Sequence, residues 1–563
     1  MRGFLWVLWG VSSGCGQMAM EAPADLGPTE PNDLAMVRPD GSIGSGYLRL
    51  IVTDDQTGLP LPARVLLKGV PPTATPEFDK GGKLGKNGTP IGLGVLGAPD
   101  GLILPVGDGA LPLVAGTYDL FVTHGPEWEA HTQRITLDGK ANLTVHAPLR
   151  HSVDTRGWMA ADLHVHTGRS FDAKGMRVDD RVISEVAVGV EVIVSTDHNV
   201  LTDLQPEVEH LGYQQVARAI VGDEFNFKPG HGGAYPMPFD AKHENPALDD
   251  WGGTLEFGLD WEHVKNRPLT EMAPFLRAFS THPAITVNHP RLGGDLGFFG
   301  NIGWAPPAPL VEAGAFDALE VLNGYMDDAP SLTTLMRDWF FLLSSGFRVT
   351  ALGSSDTHHL NGVRAGFPRT WLRMPTELPI ELLDSDLGDA LRSQRAIASN
   401  GPFATLTVNG NKIGDVVTAS GSVTIDATVD APDWIDVDTV RLYVDGKKTK
   451  EYKVTTATRP RFQMVWQETL PDGSKDHWLL LSASGTKPLP PGLVTEPNIT
   501  VTPLAVTNPI FIDGDGDKVW KPQIANPDPG PLGPPMPEQP NWGGLPPEEC
   551  EPPLWTNPRK FQR

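Results

Sequence analysis

The chain has 563 residues, of which 40% are hydrophobic and 20% charged, so it can bury several cores and is not a disordered polyelectrolyte. Its net charge of −24 opposes general binding to nucleic acid or to an anionic membrane surface, although bound divalent cations would reverse the field at a local site. Its only two cysteines, Cys15 and Cys550, exclude a disulfide framework.

The N-terminus is typical of an export signal. Arg2 precedes the apolar run 4–9, and small residues then lead directly into Cys15. This order resembles a bacterial lipobox, with Ser12 where leucine is usual, so residues 1–15 are predicted to be a signal peptide with lipidation at Cys15. An ordinary signal peptide cleaved nearby is the alternative. We expect an exported protein, either a periplasmic or cell-surface lipoprotein or a secreted one, with membrane contact only through an N-terminal lipid anchor.

A linker and a β-module follow the signal. Residues 16–44 are rich in Pro, Gly, Asp and Glu without a period, which predicts a tether. Between 45 and 150, short runs such as YLRLIVTD and GTYDLFVTHG alternate and are separated by turn residues. This segment is predicted to be an antiparallel β-sandwich similar to carboxypeptidase-regulatory domains, with a loop insert at 70–100.

From 155 to 402 the pattern becomes α/β. Short apolar runs, among them MAADLHVH, VEVIVSTDH, AITVNHP and RVTALGSSD, alternate with helical stretches. Each run ends in polar residues that could bind a metal or a substrate. In parallel α/β barrels the active site lies at the C-terminal ends of the strands, so this arrangement favours a barrel with its site at those ends.

The first two runs carry histidines. His164 and His166 are at i and i+2, which puts both imidazoles on one face of a strand, and Asp172 follows in the next loop. His198 follows the second run, beside Asp197, which we expect to fix the tautomer of His198. An H-x-H pair by itself more often consists of one buried and one exposed structural histidine, so its meaning depends on the other strand ends.

The ends of the later apolar runs also carry His, Asp and Glu side chains. Glu224 closes the third run and could bridge two ions, and His231 follows in a Gly-rich stretch predicted to be a mobile loop. His289 ends the fourth run directly before a proline that restricts its backbone. Asp356 and His358 end the sixth run with a second i, i+2 pair. Each residue alone could be structural, but together their order along the chain predicts a His/Asp/Glu metal site.

Substrate contacts are predicted near these motifs. Glu320 and Asn323 end the fifth run and are expected to be scaffold or substrate-lining residues. The insertion 228–282, with Tyr235 and Trp251, is expected to form a wall or lid, although its aromatic residues could equally be local core. The candidate substrate contacts are Arg291, Arg169 and Asn323. For Arg291, a surface ion pair is the alternative.

Alternating patterns return at the C-terminal end. Residues 403–507 are predicted to be a second β-sandwich, and 508–563, dense in Pro and Gly, an extended tail. Asp513, Asp515 and Asp517 resemble the start of a calcium loop. The bidentate glutamate expected at loop position 12 is absent, so a polar turn is the alternative.

The strand-end series HxH, Asp, DH, GxE, GH, NHP and SDxH resembles the PHP (polymerase and histidinol phosphatase) superfamily, and within it the CehA/McbA-type metallohydrolases. The resemblance covers about 155–402 and implies a distorted (β/α)7 barrel holding two or three divalent ions. The flanking β-modules also resemble those of this subgroup. The metal ligands that it implies are His164, His166, Asp172, His198, Glu224, His231, His289, Asp356 and His358.

By the same resemblance, His164, His166, Glu224 and Asp356 would surround a first ion. Glu224 would bridge to a second ion with His231 and His289, and the remaining three ligands would hold a third. The expected nucleophile is metal-bound hydroxide rather than a protein side chain, because the chain contains no G-x-S-x-G elbow.

The resulting prediction is an exported metal-dependent hydrolase, with Mn, Fe or Zn, acting on a small-molecule or phosphoester substrate. Phosphoester hydrolysis is preferred. Carbamate, ester or amide hydrolysis is the first alternative, since CehA/McbA-type relatives include carbamate hydrolases. A non-catalytic cell-surface binding protein with structural metals is an alternative of a different class.

Overall fold

The structure is a computed structural model that describes residues 45–76, 78, 90–92, 94–98, 101–240, 267–293, 296–324, 329–360, 364–455, 458–490, 492–493 and 500–522. The predicted signal with Cys15, the linker 16–44, Trp251 and the end of the predicted tail lie outside these residues. In the part of the chain that the structure describes, no helix is both long and apolar enough to cross a bilayer.

The N-terminal module consists of nine strands in two sheets. The three-stranded sheet has the order β6-β1-β9 and the six-stranded sheet β3-β4-β5-β2-β7-β8. Inward-facing side chains of both sheets, such as Leu50, Val65 and Leu120, form one buried core. The strands are β1 (Ser45–Asp54), β2 (Ala63–Gly69), β3 (Pro90–Gly92), β4 (Val95–Ala98), β5 (Gly101–Leu104), β6 (Asp108–Val114), β7 (Gly116–Thr123), β8 (His131–Leu137) and β9 (Leu143–Leu149).

The central module places helices between short buried strands. Its strands are β10 (Trp158–Val165), β11 (Val192–Ser195), β12 (Arg218–Val221), β13 (Asp223–Phe227), β14 (Gly230–Tyr235), β15 (Ala284–Val287), β16 (Ala318–Asn323), β17 (Thr350–Ser354), β18 (Arg369–Arg373) and β19 (Ala396–Ser399). Its α-helices are α1 (Val178–Val186), α2 (Gln205–His210), α3 (Leu269–Arg277), α4 (Phe298–Asn301), α5 (Ala329–Ser344) and α6 (Asp384–Arg392), and 3-10 turns occur at Val311–Gly314 and Pro379–Glu381.

The described strands do not form a clear seven-stranded barrel, which corrects the predicted fold. β10, β11 and β12 pair in parallel in one sheet, and β15, β16 and β17 pair in parallel in another. Isolated bridges between Val165 and Thr357 and between His198 and Glu224 join the two sheets at the strand ends. Apolar runs predict strands, but pairing between distant strands is a tertiary property that local periodicity does not contain.

The C-terminal module is mostly β-sheet and shares a sheet with the central module. Its strands are β20 (Phe403–Val408), β21 (Asn411–Lys412), β22 (Val416–Thr418), β23 (Ser422–Asp430), β24 (Thr439–Val444), β25 (Lys447–Lys453), β26 (Phe462–Thr469), β27 (His477–Ser484), β28 (Leu504–Thr507) and β29 (Ile510–Asp513). One sheet has the order β21-β20-β23-β26. The other continues from β19 through β28 into β27, β24 and β25, giving eleven strands in all.

The ordered fold continues beyond residue 507, where the extended tail was predicted to begin. β29 pairs with both β22 and β27, and Asn508 is fully buried. The Asn508 side chain accepts a hydrogen bond from Ala351 N–H and donates to the carbonyls of Ala351 and Ala396. Residues 508–513 therefore belong to the packed structure, because their side chains complete a sheet that the central module begins.

Candidate metal centre

The strand ends bring the predicted metal ligands together. His164 lies in β10 and His166 directly after it, His198 follows β11, His289 follows β15, and Asp356 and His358 follow β17. Successive parallel strands end at the same edge of a sheet, so their polar termini meet although they are far apart in sequence. The two sheets face each other across these termini, where the bridge between His198 and Glu224 closes the gap.

Glu224 and His231 reach the site from two neighbouring strands. Glu224 was predicted at a strand end, whereas His231 was predicted in a loop. β13 and β14 form an antiparallel hairpin in which Asn226 is opposite His231. The predicted mobile loop at 229–233 is wrong, because Gly230–Tyr235 is a fully buried strand. A Cβ on Gly232 would lie 2.6 Å from the Phe225 ring, so glycine here permits close packing of the hairpin.

A first group of four ligand atoms is completely enclosed. His164 Nε2 lies 3.0 Å from Glu224 Oε2 and 3.2 Å from Asp356 Oδ1. His166 Nε2 lies 3.3 Å and 3.2 Å from the same two oxygens. These four residues offer one ligand atom each within 4.8 Å of one another. They are the residues expected around a first ion.

Glu224 extends the arrangement to a second group. Its Oε1 lies 3.2 Å from His231 Nδ1 and 3.1 Å from His289 Nε2, while its Oε2 faces the first group. His198 Nε2 is also 3.2 Å from Glu224 Oε2. One carboxylate thus has ligand nitrogens on both of its oxygens, which is the geometry of a bridging ligand.

A third group lies at the more exposed end. Asp172 Oδ2 is 3.1 Å from His198 Nε2 and 3.0 Å from His358 Nε2. His166 also belongs to this group, so it stands between the first and third groups. The side chains of Asp172 and His358 are each 17% exposed, whereas those of His166 and Glu224 are at most 1% exposed.

The donors fit divalent ions. Metal–ligand bonds of about 2.0–2.2 Å place neighbouring ligand atoms about 3.3–3.6 Å apart around a tetrahedral ion and about 2.8–3.1 Å apart around an octahedral one. The distances within the three groups fall in or between these ranges. Among the described residues, His164 Nε2, His166 Nε2 and His231 Nδ1 are buried without a hydrogen-bond partner, although each lies beside a carboxylate oxygen. Buried polar atoms are seldom left in this state, and a metal ion would satisfy all three.

Charge at the site favours ionised carboxylates, which are the metal-binding form. Burial opposes protonation of His164, His198 and His358, but the neighbouring carboxylates together raise the pKa values of these three histidines. Burial raises the pKa of Glu224, but the surrounding imidazoles, His164 foremost, together hold this pKa well below its ordinary range. The pKa values of Asp172 and Asp356 are lowered by the same balance. Burial lowers the pKa of His231 to about 4. Ionised carboxylates and neutral imidazoles are the states that bind divalent ions.

Two ligands have unusual backbone conformations. Asp356 has φ 58° and His289 has φ 27°, in the left-handed region that residues other than glycine adopt in only a few per cent of cases. The N–H of Asp356 donates to His164 O at 2.8 Å, and the N–H of His289 donates to Glu320 Oε2 at 2.7 Å. Such strain persists only where surrounding contacts impose it, and it often marks a functional site.

Several residues around the ligands have roles that the sequence did not reveal. Asp162 accepts hydrogen bonds from the N–H groups of Ser355 and Gly366, which fastens β10 to the segment after β17. Arg181, from helix α1, donates to the carbonyls of His166 and Thr357. The helical pattern of α1 gave no signal for this contact, because it depends on where the helix packs.

Asp197, the predicted partner of His198, makes hydrogen bonds with other residues. Asp197 accepts hydrogen bonds from Thr167 N–H at 2.5 Å, from Thr167 Oγ1 at 2.6 Å and from Thr202 Oγ1. Among the described residues, no hydrogen bond reaches His198 Nδ1. Asp197 therefore ties the loop after β10 to the loop after β11 and does not set the tautomer of His198.

The predicted substrate contacts have separate outcomes. Arg291 donates to Asp338 at 2.7 Å and to Trp304 O at 2.9 Å, so the ion-pair alternative describes it, although Asp338 is buried. Asn323 is buried and donates to Asp356 Oδ2 at 3.3 Å, which places it against a candidate ligand. Arg169 is exposed in the loop that precedes Asp172, and its contact with substrate stays a prediction.

The acidic residues near the predicted calcium loop are arranged differently from the prediction. Asp476, rather than Asp517, joins Asp513 and Asp515. Asp513 accepts from Thr418 Oγ1 and from the N–H groups of Gly516 and Lys518. These bonds are those of a polar turn. Tyr235, from the predicted lid insertion, lies in the hydrophobic core.

Comparisons with known proteins add a family for one segment only. Residues 405–476 match the family model of the bacterial Ig domain, a domain common in extracellular and cell-surface proteins. No curated protein matches the chain.

Two solved structures share low similarity with the chain. One is the crystal structure of an Endonuclease Q complex with a 27-mer duplex substrate, with 14% identity and a TM-score of 0.27 over 42% of this chain and 56% of that chain. The chain thus spans just over half of that protein's length. The other is the apo structure of Bacteroides uniformis beta-glucuronidase 3, with 8% identity and a TM-score of 0.15 over 83% of this chain and 63% of that chain. At these TM-scores neither likeness carries an argument about fold or activity, and the buried His/Asp/Glu clusters remain the basis for a metal-dependent hydrolase.

Proposed function

We propose that this protein is an exported metal-dependent hydrolase of the PHP superfamily, CehA/McbA type, that cleaves phosphoesters. The observation that supports this proposal is a set of three adjoining groups of His, Asp and Glu ligand atoms. Glu224, His166 and His198 each belong to two of these groups. Divalent ions bound at such sites lower the pKa of water and stabilise charge on attacking and leaving oxygens. No Ser or Cys nucleophile is required for this chemistry.

The chain supplies ligands for three ions. The first group would hold an ion with His164, His166 and Asp356 together with Glu224. His231 and His289 would hold a second ion on the other oxygen of Glu224. A third would be held by Asp172, His198 and His358. Mn, Fe and Zn all suit this donor set.

Two observations bear on the alternatives. Arg291, the arginine expected to contact an anionic substrate, forms an ion pair with Asp338. This ion pair favours carbamate, ester or amide hydrolysis as the second candidate. The 17% exposure of Asp172 and His358 gives water and substrate access to the third group, and a catalytic metal needs such access because it keeps one coordination position for water or substrate. The substrate is therefore proposed to be a small molecule that approaches from the Asp172 and His358 end.

The proposal includes the location of the protein. Export and lipidation at Cys15 agree with the frequent occurrence of bacterial Ig domains in extracellular and surface proteins. General nucleic-acid binding is not proposed, because the net charge of −24 opposes it.

The first test is metal analysis of the purified protein together with hydrolysis assays. We expect two or three divalent ions per chain in the wild type, and activity on nitrophenyl phosphate, a phosphodiester or a carbamate. Replacement of both His164 and His166 by Ala should remove at least one ion and reduce the rate by about 10²-fold or more. The matched control is His146→Ala, at an exposed position in β9 of the N-terminal module.

A second variant guards against misfolding. His358→Ala changes the exposed end of the site and should leave the fold intact while reducing activity. Unchanged metal content and unchanged hydrolysis in both variants would contradict the site assignment. If the variants lose metal but the wild type hydrolyses none of the substrates, the binding-protein alternative would be favoured.

A further inference from the structure

Glu320 is a buried carboxylate that touches two of the metal groups without belonging to either. It lies in β16, and its side chain is 2% exposed. Its Oε1 accepts a hydrogen bond from His164 Nδ1–H at 2.8 Å. Its Oε2 accepts from His289 N–H at 2.7 Å and from Asn323 Nδ2–H at 2.9 Å. Three donors therefore converge on one side chain.

The contact with His164 selects a tautomer. A carboxylate oxygen accepts, so His164 Nδ1 carries a proton, and Nε2 is the nitrogen left for a metal ion. That Nε2 is the atom beside Glu224 and Asp356 in the first group. A carboxylate on the far nitrogen also makes the ligating nitrogen more basic and holds the ring in one orientation.

The contact with His289 acts on the second group. The positive φ of His289 is costly for an L residue, and the Glu320 hydrogen bond holds the peptide N–H that this conformation presents. The His289 ring then faces Glu224 Oε1. Asn323, held by the same carboxylate, donates to Asp356 of the first group.

We propose that Glu320 is a positioning residue that couples the first and second ion positions. It sets the tautomer of His164 and fixes the backbone of His289 at the same time. The inference rests on the metal assignment proposed above. The hydrogen bonds of Glu320 reach His164, His289 and Asn323, so the third group, with Asp172, His198 and His358, lies outside the coupling.

The decisive variant is Glu320→Gln. An amide has one acceptor oxygen and one NH2 donor, so it cannot serve donors on both sides, and its NH2 would face either His164 Nδ1–H or His289 N–H. We expect about 10–100-fold weaker binding at the first two positions, measured by chelator competition and by metal content per chain. The ion of the third group should be retained. In ¹⁵N NMR of the zinc-loaded chain, the signal of His164 that is protonated at Nδ1 and bound through Nε2 should decrease.

Two further variants separate positioning from a purely structural role. Glu320→Asp keeps two acceptor oxygens at shorter reach and should lose less affinity than Glu320→Gln; it also decides the question if the Gln variant does not fold. Asp317→Asn is the matched control, since Asp317 directly precedes β16 and pairs with Arg277 and Ile285 N–H. It should lower stability without changing metal affinity.

The outcomes are distinguishable. Wild-type metal affinity in a folded Glu320→Gln variant would overturn the coupling, as would wild-type affinity in Glu320→Asp if the Gln variant does not fold. Equal weakening at all three positions would also overturn it. A wild-type chain that binds no divalent ion would instead refute the proposed function on which the inference rests.

Discussion

At the scale of residues, exposure divides the site into a closed part and an open part. His164, His166 and Glu224 have side chains that are at most 1% exposed. Asp172 and His358 are each 17% exposed and lie at the edge that solvent reaches. An ion exchanges through ligands that can move towards water, so the open part should exchange first.

This gradient predicts stepwise removal of metal. Brief dialysis against a chelator should remove one ion per chain, from the group of Asp172, His198 and His358, while the others stay bound. His358→Ala should give the same stoichiometry before dialysis, measured by elemental analysis. A single-step loss of every ion from the wild type would show that exposure does not control exchange.

At the scale of elements, the sheet formed by β19 and β28 joins two modules through side chains as well as through strand pairing. Asn508, between β28 and β29, is fully buried, and its amide satisfies Ala351 N–H and O together with Ala396 O. Removing it takes the Asn508 partner from Ala351 N–H and O, whereas Ala396 O keeps the hydrogen bond from the backbone N–H of residue 508. An unsatisfied buried polar group costs about 1–3 kcal/mol.

We therefore expect Asn508→Ala to lower the free energy of unfolding by about 2–4 kcal/mol, measured by urea denaturation. Asn411→Ala is the control, because the Asn411 amide donates only to nearby carbonyls at a partly exposed turn. A change below about 0.5 kcal/mol for Asn508→Ala would mean that the segment after residue 507 is dispensable, as a tail would be.

At the scale of the whole molecule, a buried acid under the metal site makes stability depend on pH. Glu185 in α1 is 0% exposed and lies 3.7 Å from Arg181. Burial, and next the charge of Asp162, raise the pKa of Glu185 well above its ordinary value of 4.5, while Arg181 and Arg369 oppose the shift. The fold thus favours the protonated form.

The sign follows from linkage. A carboxyl with a raised pKa in the folded state contributes stability that is fully present below about pH 4.5 and decreases as pH rises towards the raised pKa. Glu185→Gln should therefore flatten the decline in the free energy of unfolding as pH rises above about 4.5, compared at equal metal loading. The exposed Glu209→Gln is the control and should follow the wild type. Parallel pH profiles for Glu185→Gln and wild type would contradict the prediction.

The sequence by itself determined the six parallel strands of the central module, β10 to β12 and β15 to β17, and the kinds of side chain that end them. The H-x-H pair, Asp356 and His358 are local patterns, and the geometry that unites them follows from parallel strand ends meeting at one edge. The β-rich character of both flanks was also readable, because alternation is local.

Only the tertiary structure decided which strands pair, where His231 lies and what surrounds the ligands. The strands expected in a barrel lie in two sheets joined by isolated bridges. One of these two sheets continues into the C-terminal module. Glu320 accepts a hydrogen bond from His164 across 156 positions, and Arg291 donates to Asp338. Contacts at such separation depend on packing and backbone direction, which the order of neighbouring residues does not encode.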